Sequence, residues 1–486
     1  MTAITERYTA NRSRRKITIC ESSPRMHVPP DTIRSKFSDA LSCMYKREVP
    51  LYAELLDIVR LTNERALAAN PALWSKIARA DGLADYNCEP HCAIRVGTPA
   101  ELSWLRRVFA IMGMYPVGYY DLSVAGVPVH SCAFRPTDRT SLEVSPLRVF
   151  TSLLRLELID DEELRLQAAE ILATRRILSD RAIALVSLAE AEGGLSLDDA
   201  EEFVGQVLET FRWHDSARVT AETYERLNGV HRLVADVVSF KGPHINHLTP
   251  RTLDIDAAQA EMQLRGLKAK SVIEGPPRRD VDILLRQTSF QALSEAIKFL
   301  PDGEAEAIIG SHTARFGEIE QRGAALTRKG RALYDSLLAS ARGEAGAAGP
   351  GYVERLESAF AVFPDDADTL RKERLAYFYY EAVPGAEWPV EDNEGEIDID
   401  RCVEAGQVSA RPIIYEDFLP VSAAGIFQSN LGGKGRGAYE GNSSQYAFEM
   451  ALGVPVLDPF DLYSRIEVAS QEAALRLIAR NAIRKA

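Results

Sequence analysis

Within Glu89-Pro90-His91-Cys92-Ala93-Ile94-Arg95-Val96-Gly97-Thr98 stand a metal-ligating imidazole and a guanidinium four residues apart. Side chains alternate along a strand, so His91, Ala93 and Arg95 would share one face if this apolar run is a strand. A cation bound at His91 and a carboxylate gripped by Arg95 would then occupy the same space, as a chelating carboxylate substrate requires. The pattern His-x-x-x-Arg returns in Ile245-Asn246-His247-Leu248-Thr249-Pro250-Arg251, at a lag of 156 residues, 247 minus 91. A third ligand is expected from a late strand of one repeat. Phe316-Gly317-Glu318-Ile319-Glu320 offers two carboxylates of one parity. Two histidines and a carboxylate form the facial arrangement that leaves open positions on Fe(II) for a chelating substrate and for oxygen. His91, His247 and Glu318 are the expected ligands. The competing reading makes them two packed strand histidines and a surface acid. His244 rivals His247 but has the opposite parity in a regular strand.

The elements needed to position these residues recur in the same order. After the strand at His91, Thr98-Pro99-Ala100-Glu101 reads as a capped helix start, and Leu102, Leu105, Phe109 and Met112 form one face up to Gly113. Strands are expected at 115–122, 127–134 and 147–159, giving β-α-β-β-β. The second set is a strand at 243–252, a helix at 255–267, and strands at 270–274, 283–290 and 313–321. A repeated element order points to paired βαβββ modules in an α+β fold. Residues 1–30 read as a mobile extension and 31–85 as a helical lead-in, followed by a first module at 86–160. A helical insertion is expected at 161–240, a second module at 241–345, and a C-terminal region covering the active site at 346–486. That last region carries a strand candidate at 412–419, a glycine-rich turn at 432–437, and a final helix over about 465–482. Gly432-Gly433-Lys434-Gly435 lacks the Gly-Lys-Ser/Thr ending of a phosphate-binding loop.

Composition narrows the class of activity. The 486 residues are 46% hydrophobic and 26% charged, which suits a large buried core, and their formal charge of -13 disfavours nucleic acid or an anionic membrane as partner. No apolar run reaches the ~18 residues of a membrane span. The six cysteines are sparse and irregular, so they read as reduced thiols of a cytoplasmic protein rather than a disulfide framework. Cys88, His91 and Cys92 lack a second cysteine pair at the spacing of a structural zinc site.

Several stretches together resemble the 2-oxoadipate dioxygenase/decarboxylase family. They are Pro90–Gly97, Val117-Gly118-Tyr119-Tyr120-Asp121-Leu122, His130-Ser131-Cys132-Ala133-Phe134-Arg135-Pro136, Gly242–Arg251 and Arg315–Gly323, within a match from about residue 31 to the C-terminus. The resemblance implies the vicinal-oxygen-chelate fold and an Fe(II) held by His91, His247 and Glu318. It also implies Arg95 on a substrate carboxylate. Glu318 is preferred to Glu320 by analogy with 4-hydroxyphenylpyruvate dioxygenase, whose ligand sits in a similar Phe-x-Glu run. Phe418-Leu419-Pro420-Val421-Ser422-Ala423-Ala424 resembles the family segment over the substrate, which makes Val421 and Ser422 substrate contacts along with His91, Arg95 and His247. The implied reaction joins a 2-oxo dicarboxylic acid and molecular oxygen, turning 2-oxoadipate into 2-hydroxyglutarate in lysine breakdown. A glyoxalase-like isomerase or lyase, and an inactive small-molecule-binding protein of the same fold, are the alternatives. Cys92 departs from the family's usual glycine and could re-aim the local backbone. His130 and Arg135 read as packing or ion-pair residues, and Tyr119 and Tyr120 as core and rim aromatics.

Overall fold

The computed structural model describes residues 26–70, 89–301, 308–342, 351–386, 398–419 and 441–483. Two helices lead in, α1 (Pro30–Glu48) and α2 (Pro50–Ala69), each with proline in its first turn, where the missing N–H would have no helical partner anyway. The first module follows as β1 (His91–Val96), α3 (Pro99–Ile111), β2 (Tyr115–Asp121), β3 (Val129–Arg135), a short α4 (Arg139–Val144) and β4 (Arg148–Leu154). The Thr98 side chain accepts a hydrogen bond from Glu101 N at 3.2 Å, and the Glu101 carboxylate accepts one from Gly97 N at 2.7 Å. This reciprocal capping starts α3 immediately after the strand that carries His91.

The insertion contains α5 (Glu162–Ala173), α6 (Asp180–Glu192), α7 (Leu197–Leu208), β5 (Ser216–Thr220), α8 (Ala221–Val230) and α9 (Arg232–Ser239). It is therefore not wholly helical. The second module runs through β6 (His247–Thr249), α10 (Ile255–Leu264), β7 (Leu285–Ser289), β8 (Ser294–Leu300), β9 (Ile309–Thr313) and β10 (Phe316–Arg322). Strands β8 and β9 form a hairpin that joins β5 in a separate three-stranded sheet. The expected strand at 270–274 makes only isolated bridges, Ala269 with Phe290 and Glu274 with Gln287. Gly275 at a φ of 116° followed by Pro276-Pro277 stops the ladder there. The strand expected at 313–321 starts at Phe316 instead. Just before it, the Arg315 guanidinium is drawn to Glu48, at 2.6 Å, and to Glu295, at 2.9 Å.

The C-terminal region contributes α11 (Arg328–Arg342), α12 (Tyr352–Phe360), α13 (Ala367–Lys372), β11 (Phe378–Ala382), α14 (Ile399–Glu404), β12 (Val408–Pro412), α15 (Gly441–Leu452) and α16 (Pro459–Ile483). Its two strands thus lie N-terminal to the expected 412–419, β12 reaching only its first residue, and its last helix begins before 465. The glycine-rich turn at 432–437 falls outside the described residues.

Seven strands form the main sheet in the order β2-β3-β4-β1-β6-β10-β7. Three strands of each module pair in the same way. β1 runs parallel to β4, which pairs antiparallel with β3; β6 runs parallel to β10, which pairs antiparallel with β7. The modules meet where β1 pairs antiparallel with β6, aligning Ala93 with His247 and His91 with Thr249. That register brings two histidines, distant in sequence, side by side at the centre of the sheet.

One face of the sheet is apolar. Cys92, Ile94, Val96, Leu248 and Ile319 pack in a core with Phe37, Leu41, Leu55, Leu105 and Phe109 from the surrounding helices. Alternation then turns His91, Arg95, His247 and Glu318 the other way. Tyr45 on α1 ties together the starts of β6 and β10, its hydroxyl shared between Asn246 O at 3.0 Å and Phe316 O at 2.7 Å. Gly317, beside Glu318, leaves the room that Phe290 and Leu55 fill: a Cβ there would lie 2.4 Å from the Phe290 ring and 2.6 Å from Leu55.

Candidate metal centre

His91 on β1, His247 on β6 and Glu318 on β10 are fully buried and converge, each offering a ligand atom within 4.8 Å of the others. His91 Nε2 stands 3.0 Å from Glu318 Oε1, and His247 Nε2 stands 4.0 Å from the same oxygen. The histidine rings meet edge to face with centroids 5.5 Å apart. His244, the rival ligand, is not in this group.

The residues present suit a metal ion. Neither ring nitrogen of His247, nor Glu318 Oε2, has a hydrogen-bond partner among the described residues, although all three atoms are buried. Buried polar atoms are ordinarily satisfied, and such a set on imidazole and carboxylate fits one divalent cation. Burial, with positive charge at His91 and Arg95, pushes the His247 imidazole well below its ordinary pKa. Burial also opposes charge on His91, but Glu320 and Glu318 outweigh it and raise that imidazole.

Glu320 has a different environment from Glu318. Its Oε2 lies 2.8 Å from His91 Nδ1, on the side of the ring away from Glu318. Arg322 donates to both Glu320 oxygens, at 2.5 and 3.0 Å, and anchors itself on the carbonyls of Tyr415 and Asp417. Although burial alone would raise it, Arg322 and His91 hold the Glu320 carboxyl well below the usual range. It is an ionised carboxylate in ionic contact with the His91 ring nitrogen that faces away from Glu318, where it can orient the imidazole. Glu318 Oε1 is itself steadied by Gln287 Nε2 at 2.7 Å and Thr249 Oγ1 at 3.3 Å. Gln287 belongs to no sequence motif, and although Thr249 lies within the second histidine stretch, only the strand register shows that either residue meets Glu318.

Arg95 lies on the same face of β1 as His91, and its Nη1 donates to Asp236 Oδ2 at 2.7 Å. Asp236 comes from α9 in the insertion. A lone acid inside Leu233-Val234-Ala235-Asp236-Val237-Val238 was the available signal, since a buried charge in an apolar run demands a partner. Phe418 packs edge-on against His91 at 5.0 Å between centroids, so the C-terminal region does reach the centre. Val421 and Ser422 lie outside the described residues.

His130 sits near Tyr119, with the hydroxyl 3.3 Å from Nδ1, and against the Phe448 ring at 4.7 Å. Arg135 forms a buried pair with Asp417, Nε donating to Oδ1 at 2.8 Å. Tyr120 is in the core, its hydroxyl accepting from Phe418 N at 3.4 Å. Cys92 faces the helical core, opposite His91 and Arg95, and β1 stays in continuous register with β4 past it. Cys92→Ala is therefore expected to cost on the order of 1 kcal/mol in stability through lost packing. Metal content and turnover should match the unsubstituted protein. Parallel metal analysis and denaturant unfolding check this, and loss of metal in a folded variant would put the thiol back into the site.

The 2-oxoadipate dioxygenase/decarboxylase family matches residues 37–430. A protein of that name from Pseudomonas putida is 52% identical over 457 residues, covering 93% of this chain and 98% of its own. One from Escherichia coli K12 is 54% identical over 444 residues, covering 91% and 98%. Among solved structures, the hydroxyglutarate synthase from Pseudomonas putida in complex with 2-oxoadipate superposes with a TM-score of 0.84 at 50% identity, covering 93% of this chain and 99% of that one. Paired modules, a buried group of two histidines and a glutamate, and identity above half across nearly the whole length lead to one assignment: the chain belongs to the 2-oxoadipate dioxygenase/decarboxylase family.

Proposed function

We propose that this protein is an Fe(II)-dependent dioxygenase that converts 2-oxoadipate and molecular oxygen into 2-hydroxyglutarate and carbon dioxide. The convergence of His91, His247 and Glu318 carries the reading, because two histidines and one carboxylate leave positions open on Fe(II). The relatives' activity on 2-oxoadipate supplies the substrate class. His91, His247 and Glu318 would hold the metal, which when bound supplies a Lewis acid for a chelating 2-oxo acid and the redox chemistry for oxygen. The protein's own part is position, charge and dryness. Glu320 holds His91 Nδ1 so that Nε2 faces the ligand group, and Gln287 and Thr249 fix one oxygen of Glu318. Arg95 grips a substrate carboxylate, with its charge partly balanced by Asp236. Phe418 lines the centre with an apolar ring, which keeps water from competing there. Val421 and Ser422, three and four residues further on, are proposed as substrate contacts. A cytoplasmic setting is part of the reading, supported by the four described cysteines all being free thiols.

The reaction balances as one 2-oxoadipate plus one oxygen giving one 2-hydroxyglutarate plus one carbon dioxide. The test is oxygen uptake by the Fe(II)-loaded protein with 2-oxoadipate, with both products quantified. Equal amounts of oxygen consumed, carbon dioxide released and 2-hydroxyglutarate formed are expected. Conversion of the substrate without oxygen uptake would identify a glyoxalase-like isomerase or lyase, and binding without conversion an inactive relative.

A further inference from the structure

A second buried group lies next to the metal centre, built from Asp236, His244 and His312. Its three residues come from different parts of the chain. Asp236 is on α9 of the insertion, His244 precedes β6, and His312 is on the β8–β9 hairpin. Asp236 Oδ1 lies 2.9 Å from His312 Nε2 and 3.2 Å from His244 Nε2, while Oδ2 accepts from Arg95 Nη1 at 2.7 Å and Asn246 Nδ2 at 3.4 Å. The outer nitrogen of His312 is met by the Tyr224 hydroxyl at 2.7 Å, and Trp213 stacks on the same ring.

Two imidazoles and a carboxylate could also suit a cation, but the partners here point to a hydrogen-bond network. An ionised Asp236 can only accept, so both histidines donate to it from Nε2, and the Tyr224 hydroxyl is hydrogen-bonded to His312 Nδ1. The carboxylate already neutralises a guanidinium, which would repel a divalent ion on the same group. Burial by itself would raise the Asp236 carboxyl, yet its histidine contacts and Arg95 hold it well below the usual range. The anion is thus built to stay charged in a dry setting and to offer one oxygen to Arg95.

We infer that Asp236, fixed by His244 and His312, is a positioning residue that sets the direction of the Arg95 guanidinium toward the substrate carboxylate. The helical insertion and the β8–β9 hairpin thereby serve substrate recognition, because they supply Asp236 and His312. The inference rests on the reading of Arg95 as a carboxylate grip. A planar guanidinium binds a carboxylate through two parallel bonds only when its plane is fixed, and a side chain with several rotatable bonds needs a second anchor for that.

The test is steady-state kinetics on 2-oxoadipate with the Fe(II)-loaded wild type, Asp236→Asn, Arg95→Lys and the double variant, with bound metal counted in each. Asn keeps the shape but loses the charge, and it puts an amide donor on one side of a group that accepts from Arg95 on one oxygen and from the histidines on the other. Asp236→Asn is expected to lower kcat/KM roughly tenfold to a hundredfold, chiefly through KM, in the range seen when a residue orienting another functional group is lost. In the Arg95→Lys background the same change should add less than about twofold, since residues acting through one contact are not additive. One metal per chain is expected throughout. Tyr224→Phe removes only the outermost hydrogen bond; it should give a smaller loss with the same dependence on Arg95, and it carries the test if Asp236→Asn does not fold. Full multiplication of the two defects would overturn the inference, as would a second metal equivalent that disappears with Asp236→Asn. Wild-type kinetics in Arg95→Lys would instead remove the carboxylate-grip reading on which the inference stands.

Discussion

Glu318→Ala, purified in folded form, should retain no stoichiometric iron and no measurable turnover of 2-oxoadipate. His91→Ala and His247→Ala should behave in the same way. Each variant leaves only two residues of a three-residue group in which both His247 nitrogens and Glu318 Oε2 have no hydrogen-bond partner among the described residues. Glu320→Gln should differ in kind. Glu320 contacts the far nitrogen of His91 and pairs with Arg322, so its loss should weaken metal affinity or activity about 10- to 100-fold without abolishing binding. It should also cost stability, because Arg322 would keep a buried charge with less compensation. Metal stoichiometry measured beside thermal unfolding separates the two effects. Iron retained in Glu318→Ala and lost in Glu320→Ala would exchange the roles of the two glutamates.

Arg95→Lys should reduce the affected rate constant about 30-fold to several thousand-fold, corresponding to roughly 2–5 kcal/mol for a charge-assisted pair lost from a dry site. Lysine keeps the charge but not the planar fork, and it would leave Asp236 with a poorer partner. The pattern across substrates identifies the carboxylate concerned. If Arg95 binds the distal group, 2-oxoadipate should suffer far more than a 2-oxo acid lacking that group. If it binds the carboxylate beside the keto carbon, both should suffer alike. Unchanged kinetics on 2-oxoadipate at matched iron occupancy would exclude Arg95 from substrate binding.

What the sequence by itself determined was local chemistry and element order. Period-two alternation placed His91 and Arg95 on one strand face and Glu318 and Glu320 on another. The cap at Thr98 placed a helix directly after the first strand, and the lag between His91 and His247 exposed the duplication. These features were legible because each depends on residues close together in the chain. Strand β5 and the β8–β9 hairpin were not, because they are stabilised by pairing with each other across more than seventy residues, and short strands carry little periodic signal. Only the tertiary structure decided between the glutamates' environments. Glu318 and Glu320 have the same parity and neighbouring positions, and what separates them is that β10 runs beside β6, setting one against His91 Nε2 and the other against Nδ1. The partner of Arg95 was equally out of reach of the sequence, since Asp236 lies 141 positions away on a helix whose pattern speaks only of burial. A buried charge announces that it needs a partner, but which partner is fixed by packing alone.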